Sequence, residues 1–397
     1  MITNFRNWIS QAFNSPIIEQ KRHIWIDYLR GIVIILVVYH HAFLGLVKNG
    51  IQVPQSIVDA NMAAYSFRMP LFFIFSGIFT SLSLQSKTVK NIIKNKFNLL
   101  LYPYIVWCVI QITLQIIFSD YINSEGSFLD YQYILYQPKH LAHFWYLPAL
   151  FNATVAFVFV KTKFKIKTSY HLLLGLTLFL LAPFVNSISM ISNWMRFYIF
   201  LVIGDMLSSF ILTKEIHNRL KKPIYFLSLI PLFIVAQYYY FNIIGVRSLE
   251  NDSANFQVNY FNYVFNEIGF LMVSLTGCAL FILLSFQIEK WGRLKWLRLI
   301  GFHSLYIYIM HVIVVAFART IFIKFFGIDN YLVILLTLIV LGVSIPIMFY
   351  NLLGKKYLWF LFSTKKEAEK NPVKIKETNV RTSELRIPPL HTTINNI

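Results

Sequence analysis

Ten apolar runs of about twenty residues each leave this chain few folds to choose from. They fall near residues 25–47, 63–84, 97–119, 142–160, 170–187, 194–212, 224–244, 262–287, 297–318 and 330–352. Inside a bilayer no water is available to satisfy a backbone N–H or C=O, so each run has to close its own hydrogen bonds as a helix. The expected fold class is an all-α integral membrane protein of about ten transmembrane helices. Composition agrees: 13% of residues are charged, about half the share of a soluble domain.

The basic residues then set the orientation. Lys and Arg outside the runs divide 28 to 5 between alternate loops. The larger set holds Lys87, Lys90, Lys94 and Lys96 in one loop, Lys161 to Lys167 in another, and nine residues from Lys355 onward. The positive-inside rule places both termini in the cytoplasm. The same pattern explains the net charge of +19 without nucleic acid as a partner; membrane lipids are the expected surroundings. Residues 1–24 read as a cytoplasmic leader, 25–352 as the membrane domain, and 353–397 as a basic, disordered cytoplasmic tail. No small-residue cleavage site follows the first run, which therefore reads as a retained helix. Cys108 and Cys278 have neither disulfide nor metal spacing.

Within the apolar runs, the polar residues are the ones to explain, because an ionisable group in a membrane helix is costly and is by default a functional candidate. Arg22 to Leu46 is the densest case. Arg30 and His41 are eleven residues apart, almost three helical turns, which puts them on one face and roughly 16 Å apart along the axis. Asp27 lies one turn before Arg30, close to the same face. With the topology above, Arg30 is near the cytoplasm. His41, Arg68, His143, Arg196, Glu267 and His311 all fall in the outer half, on different helices, and predict one polar chamber. Gly301, Ser304, Tyr308 and His311 follow at steps of three and four, the spacing of one helix face.

Bland roles compete with each functional one. Arg68, His143 and Arg196 are near expected helix ends and could snorkel to the interface. His40 is about a quarter turn off the Arg30–His41 face and suits packing or hydrogen bonding. Trp145 and Tyr308 suit an aromatic belt or core, and Asp205 a polar contact between helices. A zinc site at His40 and His41 is not expected, since adjacent helical residues point apart and no further ligand spacing accompanies them; no metal is expected.

Five motifs, in order, resemble the membrane acyltransferase-3 family, bacterial O-acyltransferases of surface polysaccharides and their relatives. They are Asp27-Tyr28-Leu29-Arg30 followed by His41; RMPLFFIFSGIF from Arg68, with its Phe-x-Ser-Gly core at Ser76; the basic stretch KNKFNLLLYPY from Lys94; HFWYLPALF from His143; and GFHSLYIYIMH, ending at His311. The resemblance spans Arg22 to His311. It implies transfer of an acyl group, acetyl above others, from acetyl-CoA as co-substrate to a hydroxyl of a cell-surface or lipid-linked sugar, in a bacterial cytoplasmic membrane. Acyl-CoA phosphates would meet Arg22, Arg30, Lys94 and Lys96, with Asp27 beside them, because Arg is suited to bidentate phosphate contact. His41 is the natural general base. Arg68 or Arg196 would stabilise an oxyanion, with His143, Glu267 and His311 in the same catalytic group. His40, Ser76, Trp145, Ser304 and Tyr308 would line or support the site. A proton-coupled secondary transporter or glycan exporter is the competing reading, since ten spans with buried His, Arg and Glu suit one equally; a partner-binding membrane subunit is a third.

Overall fold

Each of the ten apolar runs becomes a helix, and the computed structural model carries them as α1 (Ile24–Lys48), α2 (Gln55–Leu84), α3 (Val89–Ile117), α4 (Pro138–Phe164), α5 (Thr168–Val185), α6 (Ser189–Ile211), α7 (Pro223–Asn242), α8 (Tyr263–Trp291), α9 (Ser304–Phe325) and α10 (Tyr331–Gly354). All ten are long and apolar enough to cross a bilayer, so this is a multi-pass membrane protein. The structure describes residue 13 and residues 23–119, 126–245 and 260–365, with no strand among them. Arg22, most of the leader, the loop residues 120–125 and 246–259 and the tail beyond 365 lie outside the described residues.

Local chemistry sets several helix starts. Asn330 accepts from the backbone N–H groups of Leu332 and Val333 at the head of α10, and Thr88 accepts from that of Asn91 at the head of α3. Pro223 and Pro138 open α7 and the 3-10 turns of α4, where a missing N–H costs nothing. Pro70 and Pro346 sit inside α2 and α10, tolerated because neighbouring helices cover the freed carbonyls.

α1 is the hub. It packs against α2, α8, α9, α10 and the short helix Lys295–Phe302. α2 is the most interior, with 78% of its apolar window buried, and its largest partner is α6. There the backbones nearly touch. A Cβ on Gly77 would land on the Leu201 carbonyl, and one on Gly204 on that of Ile74. Small residues that let helices approach this closely are how membrane helices gain packing when lipid is as apolar as the protein core. By contrast only 11% of the α7 window is buried, and α7 faces outward.

Several boundaries differ from expectation. α3 starts at Val89, not near 97, which puts Lys90, Lys94 and Lys96 on a helix. α2 starts at Gln55, not near 63, so Arg68 lies thirteen residues in, about 20 Å along the axis. The ninth span starts at Ser304, not 297. Residues 295–302 form a separate helix and the chain breaks at His303, whose imidazole is held by the Leu299 carbonyl (2.9 Å) and Asn351 Oδ1 (3.0 Å). Gly301 therefore leaves the face it was expected to share with Ser304, Tyr308 and His311, and instead presses on the Asp27 carbonyl of α1. Finally, residues 353–365, expected to belong to the disordered tail, lie against the bundle. Tyr102 Oη donates to Phe360 O (2.6 Å), Trp107 Nε1 to Leu361 O (2.9 Å) and Thr364 Oγ1 to Asn98 Oδ1 (2.9 Å), while Phe362 is buried against Tyr306 and Tyr350. The aromatic run Tyr357 to Phe362 is too short to span and apolar enough to dock.

Candidate active site

Three imidazoles meet where α1, α4 and α9 cross. Ring centroids are 5.8 Å apart for His41 and His143, 5.1 Å for His41 and His311, and 4.8 Å for His143 and His311. A carbonyl oxygen only accepts, so the nitrogen facing one carries the hydrogen. His311 Nδ1 faces the carbonyls of Ile307 (3.0 Å) and Tyr308 (2.8 Å), and His143 Nε2 faces that of Ile309 (3.4 Å). Their other nitrogens, His311 Nε2 and His143 Nδ1, are buried and have no hydrogen-bond partner among the described residues. In the neutral rings both are bare lone pairs beside His41. Among the described residues no group of three or more His, Cys, Asp or Glu is arranged to hold a metal.

His143 is held by unusual backbone. It lies in the 3-10 segment before the regular turns of α4, and Ala142 before it has φ 54 and ψ −114. A side chain with a Cβ rarely adopts such angles, and a residue kept there costs about 1–3 kcal/mol unless the surroundings demand it. Tyr308 Oη donates to the His143 carbonyl, locking the same segment to α9.

His41 and His143 open onto a cavity of about 930 Å³ that extends to the helix ends at Lys48, Lys139 and Arg319. Arg68, Trp145, Arg196, Glu267, Tyr308 and His40 also line it. The expected chamber is therefore present, with two refinements. His311 is wholly buried and stands behind His41 and His143, away from the cavity wall. Arg196 and Glu267 form an ion pair with each other (3.0 Å), and the Arg196 guanidinium is sandwiched between the rings of Phe179 and Phe270 at 5.1 Å each. Arg68 does not snorkel. It is 4% exposed, lies over the Tyr65 ring (5.2 Å), and its Nη1 has no hydrogen-bond partner among the described residues. His40 hydrogen-bonds Asn61 Oδ1 through Nδ1 (2.9 Å). Trp145 stacks on Phe197.

The residues expected to hold the donor gather at the other end of α1. Lys96 Nζ donates to Ser76 Oγ (2.9 Å), Arg30 lies over the Phe79 ring (5.6 Å), and Lys96 and Tyr146 are within electrostatic reach of Arg30. Asp27 pairs with Arg298 (3.7 Å), which ties α1 to the helix Lys295–Phe302. Lys94 is exposed on α3, on the side of the helix away from Lys96's partner. Ser304 is buried at the start of α9. Tyr146, within electrostatic reach of Arg30, leads to the histidines through edge-to-face ring contacts: Phe73 with Tyr146 (5.6 Å), Tyr146 with Tyr308 (5.1 Å) and Tyr308 with His143 (5.2 Å).

Sequence reasoning missed Lys139, His140, Arg319, Gln111 and Asn193 on the cavity wall. Lys139 and Arg319 were visible as two of the five basic residues in the sparsely charged loops, and that rarity was the available signal.

Ten spanning helices around a buried histidine cluster with an adjoining polar cavity define a membrane-embedded site. The family model described as an acyltransferase domain, acyltransferase-3, matches residues 23–351. The chain belongs to that family and is an acyltransferase. Searches of curated proteins and of solved structures return no match.

Proposed function

We propose that this enzyme moves an acyl group, acetyl above others, from acyl-CoA to a hydroxyl of a cell-surface or lipid-linked sugar. The observation that carries the reading is the cluster of His41 and His143 at the wall of a cavity large enough for a sugar, backed by His311, with Arg30 about three helical turns away along α1. The donor would bind from the cytoplasm, its phosphates on Arg30 and Lys96, with Arg22 and Lys94 as outlying charges and the thin pantetheine arm running along α1 past Tyr146 and Tyr308. His41 would take the proton of the sugar hydroxyl as its oxygen attacks the thioester carbon. The carbonyl electrons move to oxygen, where Arg68 is the free cation, Arg196 being matched by Glu267. Collapse breaks the C–S bond, and the imidazolium proton goes to the CoA sulfur. An acyl-histidine would split the same change into two steps. His143 and His311 would hold the His41 ring and keep its lone pair aimed at the hydroxyl. Both termini would be cytoplasmic, the membrane a bacterial inner membrane, and residues 1–24 and the segment beyond 365 cytoplasmic extensions.

The test is transfer from labelled acetyl-CoA by purified protein, combined with mass spectrometry of surface glycans from cells with and without it. A missing acyl mass on a glycan in the deletion supports the reading. Unchanged glycans with proton-coupled solute uptake would replace it with the transporter.

A further inference from the structure

The charge on the cavity wall is lopsided. Lys48, Arg68, Lys139, Arg196 and Arg319 line it, and among the described residues Glu267 is its single carboxylate, already taken up by Arg196. Among the described residues that leaves four cations around one cavity with no carboxylate of the lining paired to them. They differ in depth. Arg68 is buried beside His40 and His41, whereas Lys48 and Lys139 are exposed and Arg319 is half-buried at the helix ends. Lys139 Nζ reaches only the amide oxygen of Asn186 (3.1 Å), a neutral partner. Arg319 lies along α1 at Gly45, where a Cβ would strike its guanidinium. A surface that merely snorkels would not need a glycine to seat an arginine against the cavity.

Unmatched cations in a walled cavity focus the field on whatever enters and raise the local concentration of anions. A neutral sugar gains nothing from this. A buried guanidinium with an unused N–H is also expensive to maintain until an acceptor oxygen reaches it. Rim groups separated from the reacting carbonyl are placed to read the acceptor at a distance from its hydroxyl.

We infer that the acceptor is an acidic glycan, a sugar carrying a phosphate or carboxylate, held by Arg319 and Lys139 while its hydroxyl lies at His41. This rests on the glycan reading above and narrows it. Two sources offer the same chemistry: an acid group on the sugar itself, or the diphosphate that links a sugar to a polyprenyl carrier.

The test uses the full chain in nanodiscs with acetyl-CoA and a panel of common hexoses and N-acetylhexosamines. Each is presented in three forms: neutral octyl glycoside, octyl uronide, and citronellyl-diphosphate-linked sugar. Transfer and acceptor binding by thermal shift are both read. The expected result is about tenfold higher kcat/KM for a charged form at low salt, shrinking as salt rises because rim charges are screened. The uronide and diphosphate arms tell the two sources apart. Arg319→Gln and Lys139→Gln should raise KM for the charged form severalfold and leave kcat and the neutral form unmoved. Equal response to neutral and charged forms in both readouts, including none to either, overturns the inference. A rise in KM for acetyl-CoA instead of acceptor in those variants also overturns it, since the cations would then serve the donor. Acylation of neutral glycosides with no charged advantage removes the acidic acceptor and keeps the transferase reading. Selective binding of charged forms without any transfer does the reverse.

Discussion

The two ends of α1 handle charge in opposite ways. At the end that starts with Ile24, most charged side chains are matched: Asp27 with Arg298, Lys96 with Ser76, Arg30 with the Phe79 ring, and nearby Lys161 with Asp205 and Lys221 with Glu289, while among the described residues the buried Trp25 Nε1 is open. At the His41 end one ion pair closes, Arg196 with Glu267, and His40 bonds Asn61, while among the described residues Arg68 Nη1, His143 Nδ1 and His311 Nε2 have no hydrogen-bond partner. Protein interiors seldom leave buried polar groups unmade, and those left over mark strain, chemistry or a missing ligand. At the first end charge is largely balanced within the chain, and at the second more of it is left for what binds.

The comparison can be broken most forcefully at His41. His41→Ala should lower acyl transfer by about 10²–10⁴-fold, the usual loss on removing a general base, with folded protein at the level of the parent in membranes. His40→Ala, which removes a hydrogen bond to Asn61, should keep substantial activity. The reverse order, read as labelled acetyl transferred at matched expression, would move the chemistry to the other ring.

A second, smaller loss is expected at the matched end. Arg30→Ala should abolish or strongly weaken acetyl-CoA binding, and Arg30→Lys should rescue it poorly, because an ammonium does not reproduce the two-pronged fork. Full rescue by lysine, measured by isothermal titration with CoA, would make the fork irrelevant. Lys94→Gln is the internal control. That side chain is exposed, and its loss should shift CoA affinity by less than twofold, on the order of a single screened surface charge.

Glu267→Gln sharpens the comparison by opening the one closed pair. Both side chains keep some exposure, so the stability loss should be about 1–3 kcal/mol, below that of a fully buried pair. Unfolding in detergent reads the loss, and Arg196→Gln on the same background should recover part of it. No change in melting would mean the pair is not formed. Ala142→Gly should act most gently. Glycine adopts φ 54 freely, so strain relief and the added entropy of the unfolded chain nearly offset. Melting should move by no more than about 1 kcal/mol equivalent. Transfer should fall severalfold as His143 loses its fixed seat; unchanged transfer would strip the strained turn of its role.

The sequence carried the architecture further than the site. Ten apolar runs and the helical class could be read directly, because a bilayer permits little else. Helix ends could not. Gln55–Met62 continues α2 although it is polar, since the helix outruns its apolar window, and this is why Arg68 looked like an end residue. The break at His303 hid inside a run whose composition does not change there; it depends on Asn351, 48 residues on. Arg30 and His41 were legible because both sit on one regular helix, where spacing fixes direction. The Arg196–Glu267 pair was not, since it joins helices whose relative rotation no single-chain period encodes. Lys139 and Arg319 were passed over for the same reason.

The touching backbones at Gly77 and Gly204 make a fulcrum. Arg68 is nine residues from it along α2 and Arg196 eight along α6, levers of about 12–14 Å. Because neither helix can slide closer or rotate past the other at that point, any tilt between them is converted into a change in the gap between the two guanidinium groups. A few degrees at the crossing opens or closes that gap by roughly an ångström over such an arm. The distance between the two arginines that line the cavity is thus tied to a crossing at which both helices have given up their side chains.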